Sequence, residues 1–440
     1  MSDLKNKEPQ KKNGASRIQR IVAAILTALF IPMIFAFGAY GLVSNPSELV
    51  DSLRFSHAKS YLSDIDDGAK FFPMLKARIQ SLQSALGDTI PLRDELGYLN
   101  ASFQYALGKD MISMGGEQLL SLPGGQIYQM TTRTTFEAEA REVVGLYEQL
   151  DGRVPFLFAY VNPQFYNGSI MLPAGYDVID TSDELADQVL EIVRSAGIDA
   201  LDSREFFEGL DYSDNELILR TDMHWTTLAA LLATPIYADE INRLTGAHLD
   251  TDKIALDQFE TEVYPDLFLG EYGQQVGQFN SGLDDITFYL PKYPTEFTRY
   301  SVERDGTEEH ASGDFREAVV KWDALDREPD GTNIRGYVGY GLVERIEEIE
   351  NLSDDCEDLT ILIFRDSYTA PVGSFLALMA KKVVMVDMRT MDMTAMEVVD
   401  QYDPDIVIVS LSRPMFEDHR YDLGTGYEQY AAEVAAREDA

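Results

Sequence analysis

The stretch LTILIFRDSY at residues 359–368 decides the fold class of this 440-residue chain. Its first six residues form an apolar run of strand length, which indicates a buried strand. A helix-like segment follows, so Ser367 is predicted to lie at the tight turn between strand and helix. There its hydroxyl would be next to helix N-terminal N–H groups, which stabilise developing negative charge. The stretch therefore predicts an α/β unit with a candidate nucleophile at the strand end.

Strand and helix patterns alternate on both sides of this stretch. Repeated strand–helix–strand units with apolar strands predict a parallel sheet covered on both faces. Ligands of such sheets bind beyond the carboxyl ends of the strands, so Ser367, Asn162, Arg389 and Arg413 are predicted to line one rim. We expect strands at 154–161, 198–201, 359–364, 382–387 and 405–410, and helices at 135–150, 182–197, 226–245, 372–380 and 394–402.

Residues 250–330 break this rhythm and are rich in Gly, Tyr, Phe and Asp. Short β-like pieces such as 286–290 predict a β-containing insertion there. The main α/β domain is expected over 101–412. Before it, the segment 44–100 has a mainly helical, polar pattern and is predicted to be a juxtamembrane helical segment. After it, 413–440 is predicted to be an acidic C-terminal tail.

The N-terminus predicts a membrane anchor. Residues 21–43 contain no charge, and their 23 positions would span about 35 Å as one transmembrane helix. The preceding tail, 1–20, carries six Lys or Arg residues and should stay in the cytoplasm. A cleaved signal peptide is the alternative, with a weak cleavage-like sequence at 36–38, but the apolar run is long for one. The predicted location is the cell membrane, with a single pass and the catalytic domain outside the cytoplasm.

The charge and cysteine content exclude several kinds of partner and site. Residues 44–440 carry 30 Lys or Arg against 73 Asp or Glu, a net charge of −43. Such a surface repels nucleic acid and anionic lipid, so no nucleic-acid partner is expected. Solubility, or adaptation to a saline or acidic medium, is the simpler explanation of this charge. Cys356 is the only cysteine, which excludes an intramolecular disulfide, and five histidines exclude most multi-histidine metal sites.

A second segment, TDMHW at 221–225, supplies the groups that a serine nucleophile needs. Asp222 and His224 are two residues apart, and in an extended conformation that spacing places both side chains on one face. A serine, a base and a base-orienting carboxylate are the parts of an acyl-transfer triad. We therefore predict Ser367 as nucleophile, His224 as general base and Asp222 as the group that orients it.

Each of these residues also has a simpler interpretation. Ser367 alone is typical of a helix N-cap, and His224 could be a structural histidine bonded to Asp222, with Trp225 in the core. The pair Asp222 and His224 would suit zinc or iron, but no third His or Cys lies nearby. Asp366 could accept a phosphoryl group at its strand end, yet no second acidic residue stands two positions away.

Taken in order, TDMHW and FRDSY resemble the two signature segments of the DHHW protein family. That family is related to the periplasmic alginate O-acetyltransferase (AlgJ/AlgX-like) SGNH-type domains and, more distantly, to SGNH hydrolases. The likeness covers roughly residues 100–412, with further similar segments at 155–163, 198–202, 276–285 and 386–389.

The resemblance implies an α/β, SGNH-hydrolase-like three-layer sandwich with a parallel sheet. It also implies that Asp222, His224 and Ser367 form the triad. Met223 departs from the family pattern, which has a second His there, but it should point away from the triad. The Ser367 N–H can serve the oxyanion hole, although no Gly-x-Asn segment supplies the other donors.

The function implied is a membrane-anchored O-acetyltransferase that modifies hydroxyls of a cell-surface or secreted polysaccharide. Because the acetyl source would be cytoplasmic, the resemblance also implies a multi-pass membrane-bound O-acyltransferase partner. No cofactor and no metal are expected. Two alternatives stay open: a carbohydrate esterase with the same triad, and a non-catalytic glycan-binding scaffold. Candidates to bind the saccharide are Arg365, Tyr368, Arg389, Arg413 and Trp225, although structural ion pairs would explain the arginines equally well.

Overall fold

The computed structural model describes most of the chain after its N-terminal part. The predicted tail at 1–20, the predicted span at 21–43 and most of 44–100 lie outside the described residues, as does Asn162. Among the residues described, no helix is both long and apolar enough to cross a bilayer. The chain divides into units 1–97 and 98–440, and of the first only 93–97 are described. The described residues are 93–109, 111–114, 117–122, 125–161, 172, 180–328, 331–341, 344–417 and 419–438.

Strands and helices alternate through the second unit. The strands are β1 Met111–Met114, β2 Glu117–Ser121, β3 Ile127–Gln129, β4 Phe156–Val161, β5 Asp199–Asp202, β6 Phe259–Phe268, β7 Asp284–Pro291, β8 Phe297–Glu303, β9 Glu308–Gly313, β10 Glu344–Asn351, β11 Glu357–Arg365, β12 Ala380–Val386 and β13 Ile406–Ser412. The helices are α1 Arg93–Ala106, α2 Glu137–Leu150, α3 Ser182–Ser195, α4 Asp214–Leu217, α5 Thr227–Thr245, α6 Glu271–Val276, α7 Gln278–Ser281, α8 Ala370–Leu376, α9 Ala395–Tyr402, α10 Arg413–Glu417 and α11 Tyr427–Glu438.

The central sheet has the strand order β5-β4-β13-β11-β12-β10-β8-β9. Its first five strands are parallel, and β10, β8 and β9 continue it as antiparallel neighbours. β11 lies between β12 and β13, with Ile363 opposite Met385 and Ile408. The predicted α/β fold with a parallel sheet is therefore confirmed for five strands, whereas the three antiparallel strands were not predicted, and the stretch that begins at Leu359 lies within the middle strand of the parallel part.

Both faces of the sheet are covered by helices, and each strand contributes to both cores, because its side chains point alternately to either side. In β11, Ile361 and Ile363 pack into the core under α5 and α8, whereas Leu362 and Phe364 pack into the core under α2, α3 and α9. All four are at most 1% exposed. Full burial of each such side chain contributes about 1.5–3 kcal/mol, so the two cores fix the register of β11 and the position of the turn after it.

The region 250–330 contains strands, as predicted, and they fall into two groups. β6 and β7 form a two-stranded sheet, to which Asn333 adds one bridge at Phe268, whereas β8 and β9 extend the central sheet through β10. β10 was not predicted, since its sequence ERIEEIEN is dominated by charge. One of those charges, Glu347, is fully buried and lies 3.5 Å from Arg299 of β8, a pairing that depends on the tertiary fold.

Candidate active site

Ser367 lies in the turn that follows β11, at the carboxyl edge of the sheet. The neighbouring carboxylate fixes this turn: Asp366 accepts hydrogen bonds from the N–H of Tyr368 at 3.0 Å and of Ser412 at 2.6 Å. Asp366 is fully buried. One of its oxygens holds the turn through Tyr368, and the other ties the turn to the end of β13 through Ser412. Helix α8 begins only at Ala370, so the serine precedes the helix by a short turn.

The segment 221–225 is a bent loop, and the extended conformation assumed for it is not found. A bridge between Ile218 and Trp225 closes the loop. Within it, the Asp222 carboxylate accepts the backbone N–H of His224 at 3.0 Å. Asp side chains favour such local bonds two residues along the chain. This local bond turns the chain so that the Asp222 carboxylate and the His224 imidazole lie together. The spacing of the two residues in the sequence did not predict the turn.

The structure brings the three predicted triad residues into one hydrogen-bonded row. His224 Nδ1 lies 2.5 Å from Asp222 Oδ1, and His224 Nε2 lies 2.5 Å from Ser367 Oγ. Since an ionised carboxylate can only accept, we assign the Nδ1 proton to the Asp222 side, which leaves Nε2 free to accept from the serine. The arrangement can move a proton from Ser367 to His224 while Asp222 balances the charge.

Asp222 stays ionised although it is only 2% exposed. Burial alone would raise its pKa, but the His224 ring and two backbone N–H donors, those of Glu271 and His224, outweigh burial and lower the pKa below the ordinary value. One of those donors is the backbone N–H of Glu271, 2.8 Å from Oδ2. An anionic Asp222 is the form needed to stabilise an imidazolium.

A group of neighbours that the sequence did not single out holds the Asp222 loop in place. Thr221 donates to Asp284 Oδ2 through both its N–H and its hydroxyl, at 2.8 and 2.7 Å. The N–H of Gly270 donates to the Thr221 hydroxyl at 2.9 Å. A Cβ on Gly270 would collide with the Asp222 side chain, so glycine is required there. Asp284 lies within the similar segment 276–285, which was the available signal in the sequence.

Aromatic side chains join the two motif segments. Trp225 Nε1 donates to the Tyr368 carbonyl at 2.9 Å, and the Tyr368 hydroxyl donates to the Met223 carbonyl at 2.6 Å. The Tyr368 ring lies 4.6 Å from the His224 ring. Tyr337 stacks on His224 with ring centroids 4.1 Å apart and planes at 24°. No motif surrounds Tyr337, so sequence reasoning had no means to find it.

Ser367 and His224 open into a cavity of about 280 Å³. Met223 does not line it and instead lines a second cavity beside Glu271. The N-terminus of the 19-residue helix α5 faces the cavity, because Thr226, Thr227 and Leu228 line it. Thr226 caps this helix by accepting the Ala229 N–H at 3.3 Å. The residues that line the cavity are Asn215, Glu216, Leu219, His224, Trp225, Thr226, Thr227, Leu228, Asp285, Ile286, Thr287, Tyr289, Tyr337, Ser367 and Pro371.

Of the five residues predicted to bind a saccharide, only Trp225 belongs to this lining. Tyr368 is 1% exposed and makes the internal contacts given above, and Arg365 is 2% exposed. Burial lowers the pKa of the Arg365 guanidinium, although the Asp387 carboxylate opposes this. The structure thus places Arg365 and Tyr368 in the interior; a role for them in binding stays a prediction.

The other two predicted arginines make strong internal contacts. Arg389 donates to both carboxylate oxygens of Asp387, at 2.6 to 3.0 Å. Burial opposes its charge, but this pairing outweighs burial and raises the pKa of Arg389. Arg413 is fully buried and donates to the Ser182 hydroxyl at 2.6 Å and the Gln129 carbonyl at 2.8 Å.

In the part of the chain that the structure describes, no group of three or more His, Cys, Asp or Glu side chains could hold a metal ion. Asp222, which the metal alternative needs as a ligand, has one oxygen beside His224 and the other on the Glu271 N–H. Nor does the phosphoryl alternative gain support, because both oxygens of Asp366 accept backbone hydrogen bonds.

Part of the chain is similar to a known protein family. Residues 135–314 match the family model of the SGNH hydrolase-like domain, acetyltransferase AlgX; this range contains Asp222 and His224 and ends before Ser367. A search of curated proteins found no match.

Solved structures share the fold. A DHHW family protein from Eubacterium siraeum is 16% identical with a TM-score of 0.52, and the alignment covers 74% of this chain and 97% of that one. Bacillus cereus PatB1 is 17% identical with a TM-score of 0.54, covering 68% and 97%; it has also been solved with a sulfonyl adduct. The predicted resemblance is therefore confirmed: residues 135–314 are similar to the SGNH hydrolase-like domain of the acetyltransferase AlgX, and the chain shares the fold of a DHHW family protein.

Proposed function

We propose that the protein is a membrane-anchored, extracytoplasmic O-acetyltransferase that acetylates hydroxyl groups of a cell-surface or secreted polysaccharide. The observation that carries the proposal is the row Asp222–His224–Ser367, with both contacts at 2.5 Å and its serine end open to a cavity. Such a row is the arrangement by which a serine is activated for acyl transfer. The match to an acetyltransferase domain family supports acetyl as the acyl group.

In the first half-reaction, Ser367 Oγ attacks the carbonyl carbon of an acetyl ester while its proton passes to His224 Nε2. The imidazolium is stabilised by Asp222 across the 2.5 Å contact. When the tetrahedral intermediate collapses, the bond to the donor oxygen breaks and His224 returns the proton to that leaving group. The enzyme is left with an acetyl ester on Ser367.

In the second half-reaction, a sugar hydroxyl takes the place of the departed donor. His224 removes the hydroxyl proton, the sugar oxygen attacks the acetyl carbonyl, and the ester bond to Ser367 breaks. The proton on His224 then restores the Ser367 hydroxyl. The acetyl group has moved from donor to saccharide, and no electron or cofactor enters the balance.

Both half-reactions develop negative charge on the carbonyl oxygen, which must be met by N–H donors. The Ser367 N–H is one candidate. We propose the free end of α5 as the source of others, because Thr227 and Leu228 line the cavity and their backbone N–H groups have no acceptor among the described residues. The N-terminus of a helix carries about half a positive charge, which would favour the oxyanion.

The membrane part of the proposal depends on the sequence. An uncharged 23-residue stretch at 21–43 after a basic tail predicts one crossing with the α/β domain outside. A single span offers no route for acetyl groups from the cytoplasm. We therefore propose a multi-pass membrane-bound O-acyltransferase as the partner that supplies them.

The test uses the full-length protein, an activated aryl acetate as donor and an oligosaccharide acceptor. Ser367→Ala should abolish both transfer of acetyl to the saccharide and reaction with a fluorophosphonate or sulfonyl fluoride probe. Ser195→Ala, at an exposed serine at the end of α3, is the matched control and should leave both unchanged. Unchanged acetylation by Ser367→Ala would reject the proposal.

The same experiment separates the alternatives, because a triad does not dictate whether water or a sugar accepts the acetyl group. Release of free acetate at the same rate with and without saccharide would identify an esterase. Binding of glycan without any probe reaction at Ser367 would identify a non-catalytic scaffold.

A further inference from the structure

We propose that the acceptor saccharide is uncharged or carries amino groups, and that the cavity disfavours uronate- and phosphate-bearing polymers. This inference rests on the proposed function, because it concerns the acceptor in that same reaction. It is carried by the charges and surfaces that line the cavity beside Ser367.

The charged side chains on the cavity wall, apart from the triad histidine, are both acidic. Glu216 of α4 and Asp285 of β7 line the cavity, and none of the described lining residues is Lys or Arg. The remaining wall offers hydroxyl groups and aromatic rings, among them Thr287, Tyr289 and Trp225. Aromatic faces pack well against the C–H groups of a sugar ring, and hydroxyls bond its polar edge.

Both carboxylates are held in place with one oxygen left over. Glu216 Oε2 accepts from the Ser213 N–H at 2.8 Å and from its hydroxyl at 2.7 Å, and these bonds lower the pKa of Glu216. Asp285 Oδ1 accepts from the Asp266 N–H at 2.8 Å. The second oxygen of each has no hydrogen-bond partner among the described residues, so each can receive an N–H or O–H donor from a ligand.

Two arginines, Arg304 and Arg389, lie close enough to act on the Tyr337 hydroxyl of the cavity wall, but neither lines the cavity and both are bonded to Asp387. Arg389 is paired with Asp387 through two oxygens, and Arg413 is fully buried against Ser182 and the Gln129 carbonyl. The N-terminus of α5 adds about half a positive charge to the cavity. The two full negative charges of Glu216 and Asp285 outweigh that half charge, so the side chains that line the cavity are on balance negative.

The size of the effect follows from Coulomb's law. Two carboxylates at about 7 Å from an acceptor carboxylate would weaken its binding about sevenfold even at the dielectric constant of water. Added salt would reduce this factor, because exposed charges are screened over about 8 Å at physiological ionic strength. An acceptor with an amino group at the same position would bind more tightly by a similar factor.

The experiment compares three acceptors of equal length with the full-length protein and an aryl acetate donor: oligomers of glucosamine, of N-acetylglucosamine and of mannuronate. We expect kcat/KM for the uronate oligomer to be lower than for the other two by about sevenfold or more at low salt. The difference should narrow at high salt. A uronate oligomer that reacts as well as the neutral one, or better, would overturn the inference.

Charge-neutralising variants assign the effect to the cavity. Glu216→Gln and Asp285→Asn should each raise the ratio of uronate to neutral kcat/KM about threefold. Glu397→Gln is the matched control, because Glu397 forms the same capping box with Thr394 on α9, which packs on the other face of the sheet. An equal rise with Glu397→Gln would mean that overall charge, and not the cavity, sets the preference.

The two proposals fail in different ways. If transfer occurs and depends on Ser367 but the uronate oligomer is preferred, only the acceptor inference is overturned. If no acceptor receives acetyl from the wild-type protein, the proposed function is overturned, and the inference with it.

Discussion

Gly270 offers a sharp test of the triad, because it contacts Asp222 without taking part in the chemistry. A Cβ placed on Gly270 would collide with the Asp222 side chain and with the Thr221 carbonyl oxygen. Neither can move freely. Thr221 is held by Asp284, and Asp222 is 2% exposed with bonds to His224 and Glu271.

We therefore expect Gly270→Ala to displace Asp222 and its hydrogen bonds. Overpacking of this kind costs about 1–3 kcal/mol of folding free energy. The effect on the reaction should be larger than the effect on stability, because a shift of about 1 Å in a catalytic group can lower the rate about 100-fold. The expected result is a folded protein in which Ser367 reacts about 100 times more slowly.

The assay is the rate of fluorophosphonate labelling at Ser367, with denaturant unfolding measured on the same samples. Gly145→Ala is the control, since a Cβ there meets Tyr430 and Thr425, on the α2–α11 side of the molecule and away from the site. It should lose some stability and label at the wild-type rate. If Gly270→Ala labels as fast as wild type, Asp222 does not control His224 as proposed.

Three further predictions concern the residues around His224. Tyr368→Phe removes the 2.6 Å hydrogen bond to the Met223 carbonyl and should lower the free energy of unfolding by about 0.5–1.5 kcal/mol in denaturant titration; an unchanged midpoint would contradict this. Tyr337→Leu removes the ring stacked on His224 at 4.1 Å and should lower kcat about two- to fivefold, since an aromatic face stabilises a cation by about 0.5–1 kcal/mol, whereas Tyr337→Phe should keep kcat. Because the pKa of Asp222 is lowered in the folded protein, its contribution to stability is present above the unfolded pKa of about 3.9 and is lost as the pH falls through the folded value. Asp222→Asn should therefore have a lower free energy of unfolding than wild type at pH 7, and in acid unfolding the two free energies should approach each other.

The sequence was informative where local pattern and tertiary structure agree. The apolar run of β11 is buried on both faces, as a run without alternation requires. The helix predicted at 226–245 exists as α5, with Thr226 as its cap. In both cases, neighbours along the chain determine the element, so a pattern of a few residues predicts it.

Other features depend on contacts between distant residues. β10 is a strand because it pairs with β8 and β12 in the central sheet, where Glu347 lies 3.5 Å from Arg299, and its charged sequence does not indicate this. That the N-terminus of α5 and Tyr337 face Ser367 follows from packing alone. Arg389 and Arg413 follow the ends of β12 and β13 as expected, but sequence position could not reveal that their side chains point to internal partners.

The central claim is that Ser367 carries the acetyl group between donor and saccharide, and mass spectrometry of the acetylated protein tests it most directly. Wild-type protein is mixed with an aryl acetate, digested and mapped, and a second sample receives oligosaccharide before digestion. We predict one acetyl ester on Ser367 that is lost on addition of saccharide, with an equal amount of acetyl gained by the sugar, and no such ester in His224→Ala. An acetyl group at another residue, or an ester on Ser367 that saccharide does not discharge, would contradict the proposed transfer.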